Sequence, residues 1–222
     1  MAAGLFYVYT EPGSVDEAEF HDWYDHEHGP ARLTVPGFRG ALRYRALDDQ
    51  KPTWLALYDL DGPEVIDSPS YRELATRASE RDKSVAAGLA VLERRVYEQI
   101  SSDGPGSDTA PAPVILTVAL SVPAAAEDDL AAWYTEEHIP MLLRVPGWRR
   151  IRRFRLVRGM DASGPDFLSV HELDGPEVLE DAGYRAAIST PWRDRVVAAA
   201  LRRERRVFGL RNAIGSWSPP ST

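Results

Sequence analysis

The 222-residue chain contains no cysteine. Disulfides, thiolate metal sites and cysteine nucleophiles are excluded together. Lysine is nearly missing as well. Lys51 and Lys83 stand among 26 basic residues, the rest arginine, and with plentiful Ala, Gly and Pro this reads as a coding bias without functional content. No apolar run approaches the roughly 20 residues of a membrane span. The opening Met-Ala-Ala-Gly-Leu-Phe-Tyr-Val lacks the basic stretch that starts a secretory signal. A cytoplasmic protein without a membrane partner is the expectation. A positive excess is absent too: 34 acidic against 26 basic residues give a net charge of −8, no field for nucleic acid. Gly-x-Gly-x-x-Gly, the phosphate-binding loop, Gly-x-Ser-x-Gly and His-Glu-x-x-His do not occur, which removes nucleotide, serine-hydrolase and zincin readings.

What is present is a repetition. Trp23-Tyr24-x-x-Glu27-His28-x-Pro30 followed by Val35-Pro36-Gly37 returns as Trp133-Tyr134-x-x-Glu137-His138-x-Pro140 followed by Val145-Pro146-Gly147. Over residues 23–45 and their partners 110 positions later, 12 of 23 pairs are identical, and Leu60–Val65 recurs as Leu173–Val178. Two copies are too few for a solenoid. A pseudo-symmetric dimer on one chain fits better. The Ser/Gly/Pro-rich stretch 101–113 reads as a linker, so the expected organisation is one repeat over 1–100, a second over 114–211 and a tail over 212–222, with Trp217 available to dock back.

Each half shows the same succession of patterns. Short apolar runs at Leu5–Thr10 and Val114–Ser121 predict first strands. Helical spacing follows over Ser14–His28 and Ala124–His138, with Pro30 and Pro140 expected to end or kink it. Second strands are predicted at Ala41–Arg45 and Ile151–Leu156, third strands at Trp54–Leu60 and Phe167–Leu173. A helical region opened by Pro63 and Pro176 then runs to about Gly88 and Ala200. Fourth strands at Val91–Gln99 and Arg202–Leu210 complete the order βαββαβ, an α+β ferredoxin-like unit. One such unit leaves a sheet face bare, and its twin on the same chain can cover it.

The Trp-Tyr-x-x-Glu-His-x-Pro and Val-Pro-Gly-[Phe/Trp] motifs, with the Arg-x-[Tyr/Phe]-Arg strand after them, resemble the EthD-like family of the dimeric α+β barrel superfamily in both halves. The resemblance implies a barrel of two four-stranded antiparallel sheets, helices outside, and a pocket in each half between sheet and helices. It also implies small-molecule work in degradation or natural-product tailoring, among relatives that include cofactor-independent cyclases, isomerases and monooxygenases. Single-copy relatives are expected to homodimerise; here the dimer is internal and a further homodimer is optional.

His28 and His138 lead the candidate catalytic residues, because imidazole both takes and gives a proton near neutrality. Tyr24 and Tyr134 lie one turn before them, and a phenol beside an imidazole can polarise a carbonyl. The competing reading is a strut that ties the helix end to the Val-Pro-Gly turn. The copies differ where Tyr58 aligns with His171, so the pocket holding Tyr134, His138 and His171 is the better acid–base site. Trp23, Phe38, Trp133, Trp148 and Phe167 supply aromatic surface for a flat ligand. Arg43 and Arg153 are expected to pair with Glu93 or Glu204, with Arg153 the candidate for a substrate oxygen. No metal is expected, since His26 and His28, two apart on a helix, face different ways. No cofactor is expected either; one axial histidine would suffice for haem, but no residue points to it. The leading reading is a cofactor-independent enzyme on a small aromatic or polyketide-like compound. The alternative is a non-catalytic ligand-binding or auxiliary protein.

Overall fold

The computed structural model describes residues 2–105 and 110–215; Trp217 lies outside them. In the first half, β1 (Gly4–Glu11) leads to α1 (Glu17–Trp23), a π-helical turn (Tyr24–His28) and α2 (Gly29–Leu33), then β2 (Phe38–Ala46) and β3 (Trp54–Leu60). A 3-10 turn at Pro63–Asp67, α3 (Pro69–Thr76), α4 (Glu80–Gly88) and β4 (Val91–Asp103) complete it. The second half repeats the order: β5 (Val114–Ser121), α5 (Glu127–Trp133), a π-helical turn (Tyr134–His138), α6 (Ile139–Leu142), β6 (Trp148–Gly159), β7 (Phe167–Leu173), a 3-10 turn (Pro176–Glu180), α7 (Ala182–Ala187), α8 (Pro191–Ala198) and β8 (Arg202–Ile214).

All eight strands pair antiparallel in one closed barrel of order β1-β3-β2-β8-β5-β7-β6-β4. Closure depends on strand length. β4 and β8 extend beyond their predicted ends, and the extra residues pair across the halves, Asp103 with Ile151 and Ile214 with Ala41. Residues 101–103 of the expected linker and 212–214 of the expected tail are therefore strand. The barrel leaves no open edge.

Period-two alternation sorts each strand between two cores. Inward residues such as Leu5, Tyr7, Tyr44, Leu57, Ile115, Phe154, Val170 and Phe208 fill the barrel. Outward ones meet the helices in two separate clusters, one per half. The barrel interior is thus a packed core. Buried arginines over its aromatic rings are matched by carboxylates: Arg95 by Glu93 and Glu204, Arg152 by Asp59, Arg206 by Asp48.

The helices correct two expectations. Pro30 and Pro140 do not end their helices, which run on to Leu33 and Leu142. The preceding π turn, in which the Gly29 and Ile139 N–H groups reach the carbonyls of Tyr24 and Tyr134, widens the backbone and gives the proline ring room. The second helical region is also not continuous; Ser68, Ser79, Asp181 and Thr190 each cap a new short helix. The glycine of each Val-Pro-Gly turn is obligatory. Gly147 has φ +85°, and a Cβ there would meet Val178 at 2.7 Å. No helix among the described residues is long and apolar enough to cross a membrane.

Two charge clusters secure the seam between β2 and β8 beyond its strand ladder: Asp25 bridges Arg43 and Arg211, and Asp48 holds Arg206. Arg206 donates to both Asp48 oxygens, at 3.0 and 3.2 Å, and to the carbonyls of Gln50 and Pro52, while Asp48 also accepts from the Val207 N–H. Asp48→Ala strands the guanidinium. It is expected to lose about 3–5 kcal/mol in urea unfolding; a loss below about 1 kcal/mol would show the seam to be held elsewhere.

Candidate active site

Both halves hang their Trp-Tyr-x-x-Glu-His segment over the outer face of the sheet, and the two segments are tied down differently. In the first half the His28 Nδ1 meets Asp82 of α4 at 2.9 Å, and the Trp23 indole N–H donates to the same oxygen at 3.0 Å. In the second half Arg193 occupies the position of Asp82, third residue after the helix-capping Thr190 as Asp82 is after Ser79. His138 binds the carbonyl of Ala187 instead, at 3.2 Å. Glu27 accepts from Ser79, and Glu137 from Thr190 and from the Trp133 indole. The strut therefore joins the first helical segment to the second, not to the Val-Pro-Gly turn.

A carbonyl only accepts, so the Nδ1 of His138 carries the proton and Nε2 keeps its lone pair. The ring is 7% exposed and stacks on Trp133 with centroids 4.2 Å apart. Burial first, with Arg193 and Arg153 adding to it against the Ala187 bond, lowers its pKa from 6.5 to about 4. At neutral pH it is an uncharged imidazole.

The pairing of the tyrosines separates the halves further. Tyr24 and Tyr58 share a hydrogen bond of 2.9 Å, whereas Tyr134 bonds Ser169, which precedes His171 on the same strand. His171, 1% exposed on β7, is left with no hydrogen-bond partner for Nδ1 among the described residues. Burial, then the neighbouring His138 and Arg205, holds its pKa well below 6.5. The Trp148 indole nitrogen likewise has no partner among them, and its ring meets His171 edge-on at 5.3 Å. Unpaired buried polar atoms are rare enough to require a reason.

Both residues border a cavity of about 90 Å³ between sheet and helices, lined by Trp133, Tyr134, His138, Trp148, His171 and Tyr184 together with aliphatic residues and arginines. The corresponding residues of the first half pack on one another. Tyr58 packs against Phe6 and Phe38, and Phe38 stacks on Tyr71 with centroids 5.8 Å apart. Of the two pockets expected, the second half holds this cavity; Leu116 and His171 stand there where the first half has the larger Phe6 and Tyr58.

The remaining candidates fall outside the cavity lining. Phe167 packs at the edge of the helix-side cluster under Arg155. Arg153 lies over the Tyr134 ring at 4.1 Å, as Arg43 lies over Tyr24. Neither takes its expected partner: Arg43 bonds Asp25 at 2.5 Å and His21, while Glu93 and Glu204 hold Arg95. Trp23, Tyr24, His28, Phe38 and Tyr58 form the closed first-half core. Sequence reasoning overlooked Tyr184 and the arginines of α8 and β8; the exchange of Asp82 for Arg193 and of Leu92 for Arg203 between copies was the available signal. Among the described residues no group of three or more His, Asp and Glu side chains could hold a metal.

Fold and site together define an eight-stranded α+β barrel with one histidine-lined cavity under its second helical layer. No family model and no curated protein matches the sequence. Solved structures do. An anthrone oxidase-like protein superposes with a TM-score of 0.68 at 13% identity, over 96% of this chain and 92% of that one. A candidate monooxygenase of Fusobacterium nucleatum gives 0.64 at 8%, covering 98% and 96%. A ferredoxin-fold protein of Listeria monocytogenes related to antibiotic biosynthesis monooxygenases gives 0.52 at 10%, covering 96% of each chain. At such identities the likeness is one of fold.

Proposed function

We propose that the chain is a fused pair of ferredoxin-like repeats of EthD-like kind, forming its pseudo-dimer internally, in which the second repeat is a cofactor-independent enzyme. Its substrate is a small aromatic or polyketide-like compound. The observation that carries this reading is the pair of unpartnered buried nitrogens, His171 Nδ1 and Trp148 Nε1, in the cavity that His138 also lines. In the scheme, the His138 Nε2 takes a proton from carbon next to a carbonyl. The indole N–H of Trp148 and an N–H of His171 hydrogen-bond the oxygen on which charge develops. Tyr134, whose pKa burial raises above 10.0, stays protonated and orders Ser169 and Arg153 beneath the site. Enolisation of this kind opens cyclisation, dehydration, isomerisation and cofactor-free oxygenation alike. The neighbours described as anthrone oxidase-like and as related to monooxygenases accord with it.

At about 90 Å³ the cavity is smaller than the roughly 150 Å³ that admits benzene. A ring system therefore enters by displacing α8. That helix is held at its outer side by Thr190 to Glu137 at 2.5 Å and by Trp192 and Arg195 to Asp129.

The test is deuterium incorporation from D2O at the acidic carbon of an anthrone or aryl ketone, followed by NMR. His138→Gln is expected to slow it by about 10²- to 10⁴-fold, with the circular dichroism spectrum unchanged. The bond from His138 to the Ala187 carbonyl favours a second reading, a strut in a ligand-binding or auxiliary protein. Unchanged exchange in a folded His138→Gln variant would decide for it.

A further inference from the structure

We infer that the second-half cavity takes an organic anion, a small planar carboxylate, with its body against Trp148 and His171 and its charge facing Arg193, Arg203 and Arg205. This rests on the reading of that cavity as the ligand site and adds the substrate class. The three arginines line the cavity, and no carboxylate does so among the described residues. Their own partners are few. Among the described residues, Arg203 forms no salt bridge, Arg205 donates only to the Tyr184 hydroxyl at 3.2 Å, and Arg193 reaches only its exposed neighbour Asp194. In a chain of net charge −8, where Arg43, Arg95, Arg152 and Arg206 are all matched by carboxylates, this is a local imbalance of charge.

The first half removes the same imbalance position by position. Asp82 stands for Arg193, Leu92 for Arg203, and Arg94, which stands for Arg205, is bound through three hydrogen bonds of 2.7–2.9 Å to Asp161. Beside the packed aromatic residues of the first half the cations are absent or paired, and beside the second-half cavity they are not. Guanidinium groups match carboxylates in geometry as well as in charge.

Electrostatics inside the cavity point the same way. Arg193 depresses the basicity of His138, Arg205 that of His171, and Arg203 acts on Tyr134, so each cation bears on one of the three titratable groups. A base near pKa 4 takes protons poorly at a pH of about 7. An anion against the guanidinium groups offsets their share of this depression, while the larger share, set by burial, remains.

Crotonate and its neutral isostere crotonamide test the charge without requiring α8 to open. Titrated into the full chain at low salt, crotonate is expected to shift the Trp148 indole N–H resonance saturably, and to bind about tenfold more tightly than crotonamide or better. Arg193→Gln with Arg203→Gln is expected to weaken crotonate about tenfold and leave crotonamide unchanged; Arg203 is exposed, so the fold tolerates its loss. Equal binding of the two compounds, or crotonate affinity indifferent to the double variant, overturns the inference while leaving the cavity as a ligand site. If neither compound moves the Trp148 resonance, the inference and the cavity reading fall together. Loss of exchange activity in His138→Gln with crotonate binding retained separates the catalytic role from the anion site.

Discussion

The double variant Trp148→Phe, His171→Tyr is expected to bind no ligand in the second half, to lose turnover to background, and to melt at a higher temperature than the parent. It gives the second half two of the three residues that pack together in the first, with Leu116 left in the place of Phe6. The tyrosine introduced at position 171 would bring a hydroxyl toward Tyr134 as Tyr58 does toward Tyr24 at 2.9 Å. The phenylalanine introduced at position 148 would stack on Tyr184, as Trp148 does in the parent and as Phe38 does on Tyr71. Two buried nitrogens without partners disappear, each a desolvation cost of about 1–3 kcal/mol. Most of that gain is offset by the lost indole volume and by imperfect repacking. A net increase of about 1–2 kcal/mol remains, or roughly 2–8 °C for a chain of this size. Calorimetric melting and titration calorimetry with crotonate check both halves of the expectation. A variant that still binds crotonate would show that the cavity is not the ligand site. One that loses binding and stability together would show that the backbones of the two halves differ where their sequences match.

Stabilisation by filling a site is the usual mark of a functional cavity, since natural chains keep strained or unsatisfied groups where binding needs them. It also explains which parts of this molecule were legible in the sequence. Strand order could be read because alternation and turn residues are local: β3 and β7 begin and end where the Trp54–Leu60 and Phe167–Leu173 patterns do. The closure was not legible. Residues 101–103 and 212–214 look like linker and tail by composition, and become strand because a distant partner, β6 or β2, offers its edge. The continuity of the helix past Pro30 was equally hidden, because a π turn depends on backbone spacing that no single residue signals. Of the site, Tyr134, His138 and His171 were found together from the Tyr58/His171 difference between copies. Of the arginines, Arg43 and Arg153 were read as partners of Glu93 or Glu204, and those lining the cavity were not singled out. That pairing failed because it is set by which face of the strand a residue occupies: Glu93 and Glu204 turn toward Arg95, while Arg43 turns to Asp25 and Arg153 lies over Tyr134.

Acid is expected to unfold this protein near pH 5, well above the range in which its carboxylates titrate. Three histidines, His138 and His171 deeply buried and His28 largely so, are neutral in the folded chain. His28 is lowered to about 3, mainly by burial and by Arg32, with Arg43 adding to this and Asp82 opposing it. His138 is lowered to about 4 by burial, Arg193 and Arg153, and His171 well below 6.5 by burial, His138 and Arg205. In the unfolded chain all three titrate near 6.5. Between pH 6.5 and 4 the unfolded state therefore binds more protons than the folded state, so stability is complete above about 6.5 and falls as pH falls. With folded pKa values of about 4 and about 3 the loss at pH 5 is about 2 kcal/mol each for His138 and His28, and His171 adds to it in the same direction. That is a large part of the stability of many domains. Carboxylates held below their ordinary range, such as Asp48 by Arg206 and Asp161 by Arg94, lose their contribution only as pH falls through about 4 and below. They deepen the acid limb without moving its onset. Urea unfolding at pH 7.5 and 5.0 measures the difference. His28→Gln and His138→Gln are each expected to shrink it by about 2 kcal/mol whatever they do to stability at pH 7.5, because glutamine adds no proton in either state. Equal stability of the parent at the two pH values would show that the imidazoles are solvated, and would remove with it the desolvated environment on which the acid–base reading of His138 depends.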